Sequence, residues 1–202
     1  MLSVLPKRSR SVDRRRAFTL TEIAIVLGVM GMILGAIWGA ASTVYANKKT
    51  TAALQEILSI VANVRGLYAN GQIPGGSQVL SPMLINAGQV PSNMIGSCAG
   101  STYGASYGGT AGCIFTPWNT QVIVWTQIGW PLPAQTNAFE FFIAPLTNAQ
   151  CASFAMQLIQ QAAPNGLDYF YSDTTGAIQI LPNTSPTLVQ SCQGNIGLQF
   201  TL

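Results

Sequence analysis

The chain has 202 residues, of which 49% are hydrophobic and only 7% charged, with no histidine and a formal net charge of +3. Without histidine there is no base for a Ser/His or Cys/His nucleophile. The excess positive charge lies in residues 1–17, where Lys7, Arg8, Arg10, Arg14, Arg15 and Arg16 face one acid, Asp13; beyond them Lys48, Lys49 and Arg65 meet Glu22, Glu56, Glu140, Asp168 and Asp173, so no basic nucleic-acid surface is expected there.

Residues 1–17 read as a basic, polar leader with no fold of its own. From Phe18 to Tyr45 the chain is almost wholly apolar and holds a single acid, Glu22. A helix over this run is about 42 Å long at about 1.5 Å per residue, enough to cross a hydrocarbon layer about 30 Å thick. A carboxylate in lipid costs about 2.5–3.5 kcal/mol unless it finds a partner or an interface. Glu22 lies one helical turn from Phe18. A cut between Ala17 and Phe18 would create an amine at Phe18 with a reference pKa of about 8. A neighbouring copy could offer that amine to Glu22 across an apolar interface, where the attraction exceeds its value in water, and the pair would fix the stagger between copies. Gly28, Gly31, Gly35 and Gly39 punctuate the same run. They suit close helix–helix approach or local unwinding, and ordinary membrane-helix glycine content accounts for them equally well.

The basic leader, the small residue and Phe18-Thr19-Leu20-Thr21-Glu22 before an apolar helix resemble the type IV prepilin signature over residues 14–45. The resemblance implies a prepilin peptidase that cuts between Ala17 and Phe18 and methylates the Phe18 amine, and an assembly role for Phe18 and Glu22. The family usually has glycine where this chain has Ala17. Alanine is nearly as small, so cleavage is expected to survive. Two rivals are a secretory signal peptide, for which the run is too long, and a plain signal anchor, which satisfies the positive-inside rule but leaves Glu22 unexplained.

After Asn47-Lys48-Lys49, apolar residues recur at Leu54, Ile57, Leu58, Val61, Val64 and Tyr68, which predicts one buried stripe of a continuing helix. Asn70-Gly71 stops it, giving one helix of about fifty residues. Gly75-Gly76 is a turn, and Ser81-Pro82 caps a short helix over Met83 to Ala87. Residues 96–112, glycine-rich with Tyr103 and Tyr107, read as an exposed loop, either a contact surface or simply structural. Strands are expected at Gln121–Ile128 and Phe139–Ala144 with a proline-rich turn between them. Glu140 is read as an outward-facing residue of an alternating strand. Asn148–Ala163 reads as a helix, Leu167–Tyr171 and Ala177–Leu181 as a hairpin, and Ile196–Leu202 as a strand with one buried face.

Cys98, Cys113, Cys151 and Cys192 all lie beyond the apolar run, and an even count in an exported chain reads as two disulfides with three possible pairings. A zinc site lacks both C-x-x-C spacing and histidine. The favoured pairing is Cys98–Cys113, closing the glycine/tyrosine loop, with Cys151–Cys192. The second resembles the bridge that defines the C-terminal region of type IVb pilins. Asp168 and Asp173 are too few for a calcium loop, so no metal and no cofactor is expected. The four acids beyond Glu22 are a sparse inventory for catalysis, and no enzyme is expected.

The expected fold class is α+β: a long N-terminal helix and a disulfide-stapled head with an antiparallel sheet. The expected divisions are leader 1–17, hydrophobic helix 18–46 serving as membrane anchor and filament core, amphipathic helix 47–70, and head 71–202. The order of elements resembles the type IVb and conjugative-plasmid (thin pilus) pilins. That resemblance implies a major pilin, held in the inner membrane as precursor and extracellular as a homopolymeric filament. The implied partners are the prepilin peptidase, an inner-membrane assembly platform and minor pilins, with no specific nucleic acid. Alternatives are a minor pilin, a secretion pseudopilin, or a membrane-anchored adhesion protein that never polymerises and uses the tyrosine loop.

Overall fold

The computed structural model describes residues 19–69, 71, 73–101, 103, 107, 111–126, 137–172, 177–180, 192 and 194–202. No proline interrupts the chain between Thr19 and Ile73, and helix α1 runs without a break over Leu20–Tyr68, 49 residues. Two compact units divide along it, one up to Thr43 and one from Val44 to Leu202. In the first unit every described residue is exposed. In the second, Thr50, Ala53, Leu54, Ile57, Ile60, Val61 and Val64 are buried. That spacing of three and four places them on one helical face.

The head is built from helix α2 (Ser81–Asn86), helix α3 (Asn148–Ala162) and seven strands: β1 (Ile95–Gly96), β2 (Cys113–Phe115), β3 (Gln121–Thr126), β4 (Ala138–Leu146), β5 (Leu167–Ser172), β6 (Ala177–Ile180) and β7 (Gly194–Thr201). They form one sheet in the order β1-β2-β3-β4-β7-β5-β6, with every neighbouring pair antiparallel. Where short β2 leaves the far end of β3 unpaired, Val79 bridges Trp125. There the Leu80 amide donates to the Val124 carbonyl at 2.7 Å and the Thr126 amide to the Gln78 carbonyl at 2.8 Å.

Ser81 does not cap α2 as expected. Its hydroxyl accepts the Val124 amide at 2.8 Å and so fastens α2 to β3. At α3, Thr147 and Gln150 satisfy each other's orphan groups: the Thr147 amide donates to Gln150 Oε1 at 2.9 Å and the Gln150 amide to Thr147 Oγ1 at 3.4 Å. This reciprocal pair is a capping box. Cys151, Phe154, Ala155, Leu158 and Ala162 of α3 are buried. They join Leu54, Ile57, Ile60 and Val64 of α1, Val122 and Val124 of β3, Phe139, Phe141 and Ile143 of β4, and Ile196, Leu198 and Phe200 of β7 in one core. Phe139, Phe141 and Phe200 meet at its centre, with ring centroids 5.7–5.9 Å apart. Full burial of each such side chain contributes about 1.5–3 kcal/mol.

Two readings change here. β4 extends to Leu146 through Pro145, with a shift of register between Ile143 and Leu146, because proline has no amide to give the ladder. β7 is an interior strand with Ile196 to Phe200 buried on both faces, where one buried face was expected. The Gly129–Pro133 turn, the Asp173–Gly176 turn and Leu181 lie outside the described residues.

Candidate functional site

The first half of α1 has the composition of a core helix and none of its burial. Leu20 is 88% exposed and Trp38 81%, with Ile25, Leu27, Met32, Leu34 and Ile37 also exposed. It is the one helix among the described residues long and apolar enough to cross a membrane. An apolar surface of this extent needs a partner that excludes water. A β-carbon placed on Gly28, Gly31, Gly35 or Gly39 would meet nothing within 4 Å, so no contact among the described residues requires glycine there. The Ser42 and Thr43 hydroxyls both donate to the Gly39 carbonyl, at 2.8 and 3.3 Å. Lys49 sits over the Tyr45 ring, 4.9 Å from its centroid.

Glu22, the lone acid of the run, occupies the first turn of α1. The Thr19 amide and hydroxyl each donate to Glu22 Oε2 at 2.9 Å, and the Glu22 amide donates to Thr19 Oγ1 at 3.3 Å. Thr19 and Glu22 thus form a second capping box. A negative charge here also complements the positive end of the helix dipole. The pattern Thr-x-x-Glu before an apolar run carried this signal in the sequence, and reading Glu22 only as an intermolecular partner missed it. All three contacts involve Oε2 or the backbone, so Oε1 has no partner among the described residues. Ala17 and Phe18, the expected cleavage and methylation positions, lie outside the described residues.

In the head, Cys98 is bonded to Cys113 with their Cα atoms 5.1 Å apart, and Cys151 to Cys192 with theirs 5.5 Å apart. The first bridge ties the start of the tyrosine-containing segment to β2; the second ties α3 to the residue two before β7. Tyr103 and Tyr107 are half-buried, not displayed as a contact surface. Tyr103 meets Phe142 edge-on at 5.3 Å and Tyr107 meets Trp125 at 5.2 Å. Both tyrosines cover the sheet face opposite the main core.

Glu140 departs most from expectation. It points away from the main core, beside Trp125 and Gln199, yet it is only 2% exposed, and its Oε1 accepts a short hydrogen bond from the Tyr171 hydroxyl. Burial pushes its carboxyl up to about 7, the Tyr171 bond pulling the other way. Glu56 on α1 accepts from Asn93 at 2.5 Å, and burial also raises its carboxyl above the ordinary range. The described acids therefore stand on separate elements or far apart on one: Glu22 and Glu56 on α1, Glu140 on β4, Asp168 on β5. Among the described residues no cluster of three or more His, Cys, Asp or Glu could hold a metal ion. A depression of about 240 Å³ beside β2, lined by Ser97, Ser101, Phe115, Asn119 and Gln121 among others, carries no charged side chain.

No family model matches the sequence, and no curated protein does. Among solved structures, the crystal structure of a type IVb pilin from Salmonella typhi matches with a TM-score of 0.52 and 14% sequence identity, over 74% of this chain and 96% of that one. The fold is that of a type IV pilin. The long helix, the antiparallel sheet and the two disulfides are consistent with that fold.

Proposed function

We propose that this chain is a structural subunit of a type IV pilus, type IVb-like, and that its assembly site is the exposed half of α1 with Glu22 at its start. The observation that carries the reading is that pairing: an apolar helix without burial, bearing one carboxylate whose second oxygen is unengaged among the described residues, on a chain whose head has the pilin fold. A prepilin peptidase cuts between Ala17 and Phe18 and methylates the new amine. The helix over residues 18–46 holds the subunit in the inner membrane, and residues 47–70 anchor it to the head, 71–202. An assembly platform with minor pilins then transfers the helix into a homopolymeric extracellular filament. Apolar surface is covered in lipid and again in the filament, so the transfer changes little in hydrophobic burial. The Phe18 amine of one subunit meets Glu22 Oε1 of the next and selects the register. The role is structural, and the chain's own residues perform no reaction.

Mass spectrometry of sheared surface filaments tests the processing: the expected subunit begins at methylated Phe18, and retention of residues 1–17 in working material overturns the proposal. Glu22 needs two variants because it has two roles. Glu22→Gln keeps a capping box, since glutamine serves at that position, but removes the charge. Glu22→Ala removes both. Both variants are expected to be cleaved normally and to yield few filaments. Normal filament yield from Glu22→Gln would reduce Glu22 to a helix cap.

A further inference from the structure

The depression beside β2 has two walls, and both are pinned. One is the chain that follows β1. Cys98 there is bonded to Cys113 of β2, the Ser101 amide donates to the Cys98 carbonyl at 3.2 Å, and the Ala99 amide donates to Ser97 Oγ at 3.2 Å. The other wall is the turn that joins β2 to β3. The Asn119 amide donates to the Thr116 carbonyl at 2.8 Å and the Thr116 amide to the Thr120 carbonyl at 2.9 Å. Trp118 of the same turn meets Phe154 of α3 edge-on at 5.7 Å, which ties the turn to the core. Walls held in this way spare a ligand the cost of ordering them.

The depression is lined by one aromatic ring, Phe115, and by the neutral polar side chains of Ser97, Ser101, Asn119 and Gln121. A β-carbon on Gly96 would come within 2.9 Å of the Phe115 ring, so glycine lets that half-buried ring lie against β1. Asn119 has a φ of 63°, a left-handed conformation that asparagine tolerates, and its side-chain amide has no hydrogen-bond partner among the described residues. Gln121 is 4% exposed. Its Oε1 accepts the Tyr103 amide and its Nε2 donates to Cys113 Sγ, both at 3.3 Å, which leaves one N–H over. Ser97 Oγ accepts, so its proton is free; Ser101 Oγ donates to the Cys98 carbonyl at 3.0 Å, so its lone pairs are free.

Donors thus remain at Ser97, Gln121 and Asn119, and acceptors at Ser101 and Asn119. Hydroxyl groups, donor and acceptor at once, answer such a mixed set. Among the described residues lining the depression there is neither a cation nor a carboxylate. An anion would lose its hydration there without a counter-charge, and a divalent metal would lack its usual ligands. Single-stranded nucleic acid needs a basic groove. An extended peptide needs a sheet edge to pair with, which β1 offers over only two residues. At about 240 Å³ the depression is smaller than the about 300 Å³ at which pockets for drug-sized ligands begin, so it fits one ring rather than a chain of them.

We propose that this depression binds one neutral pyranose ring of a glycan. The apolar C–H face of the sugar lies on Phe115, and its hydroxyls bond to Asn119, Ser97, Ser101 and the remaining N–H of Gln121. The site belongs wholly to the head, so it stands whether or not the chain polymerises.

The test holds the full chain in micelles of a zwitterionic detergent without a sugar headgroup. Its 1H–15N spectrum is followed during titration with methyl β-D-glucopyranoside, methyl β-D-galactopyranoside and methyl α-D-mannopyranoside. At least one is expected to shift Gly96, Ser101, Phe115 and Asn119 together, with a Kd of about 1–10 mM for so few contacts. Glucuronate, a pyranose bearing a carboxylate, is expected to bind at least about tenfold more weakly. Asn119→Gly keeps the left-handed backbone and removes the amide; Phe115→Leu keeps apolar bulk and removes the flat face. Each is expected to weaken binding by about tenfold, and the rest of the Asn119→Gly spectrum is expected to match the wild type. The proposal is overturned if none of the three glycosides moves those signals up to its solubility limit, if glucuronate or adenosine binds there as tightly, or if both variants bind as the wild type does.

Discussion

The Tyr171 ring lies over Gly197, and a β-carbon built on that glycine would overlap it. Gly197 also sits in an interior strand, between Phe142 of β4 and Tyr171 of β5, so neither side can move away cheaply. Gly197→Ala is therefore expected to destabilise the head by about 1–3 kcal/mol through overpacking, read as a lower midpoint in thermal unfolding. The same substitution displaces the hydroxyl that holds Glu140. Sequence reasoning met Glu140 as one polar residue in an aromatic run and placed it outside. That inference holds for a sheet with one wet face, and it failed because tyrosines distant in sequence cover the second face. For Glu22 the reverse happened: a local partner three residues away was legible and was passed over in favour of a distant one.

Arg65 links two elements that the sequence separates by more than a hundred residues. Its Nε and Nη2 both donate to the Thr201 carbonyl at the end of β7, at 3.1 and 2.6 Å. Gly166 makes room for it, since a β-carbon there would collide with Nη2, and Gly166 also adopts a φ of +68° that side chains rarely take. Arg65→Ala is expected to cost about 1.5–3 kcal/mol in urea unfolding, the range for hydrogen bonds to charged groups. Arg65→Lys should recover only part of it, because an ammonium lacks the planar fork. Long elements were readable: α1 and α3 from their 3.6-residue stripes, β3 and β4 from β-branched and aromatic runs, β5 and β6 as two runs flanking a turn, and β7 from its alternation. β1 and β2 were not, since strands of two and three residues contain no period to detect. The Arg65 contact was equally invisible, because nothing local pairs an arginine with a carbonyl on a strand so far along the chain.

Over the whole molecule the distribution of charge matters more than its sum. The full chain has a pI of about 8.8, yet the basic excess lies in residues 1–17, and the rest of the chain has three basic residues against five acids. Loss of residues 1–17 is expected to move the isoelectric point from basic to acidic, a change that isoelectric focusing of precursor and filament subunit would show at once. The fold class was legible because a long helix, a cysteine-bearing head and short antiparallel strands each leave their own mark. Strand order was not, since it depends on which strands meet in space.

That order has a consequence for how the head is made. β7 comes after β5 and β6 along the chain but lies between β4 and β5, so the strands before it form two separate ribbons, each with an open inner edge. Until Gly194–Thr201 slots into the gap, those edges are templates for pairing with another molecule. A nascent head therefore has an interval of adhesiveness that only the arrival of β7 ends. Chains interrupted before Gly194 would remain in that condition, prone to clump rather than to build.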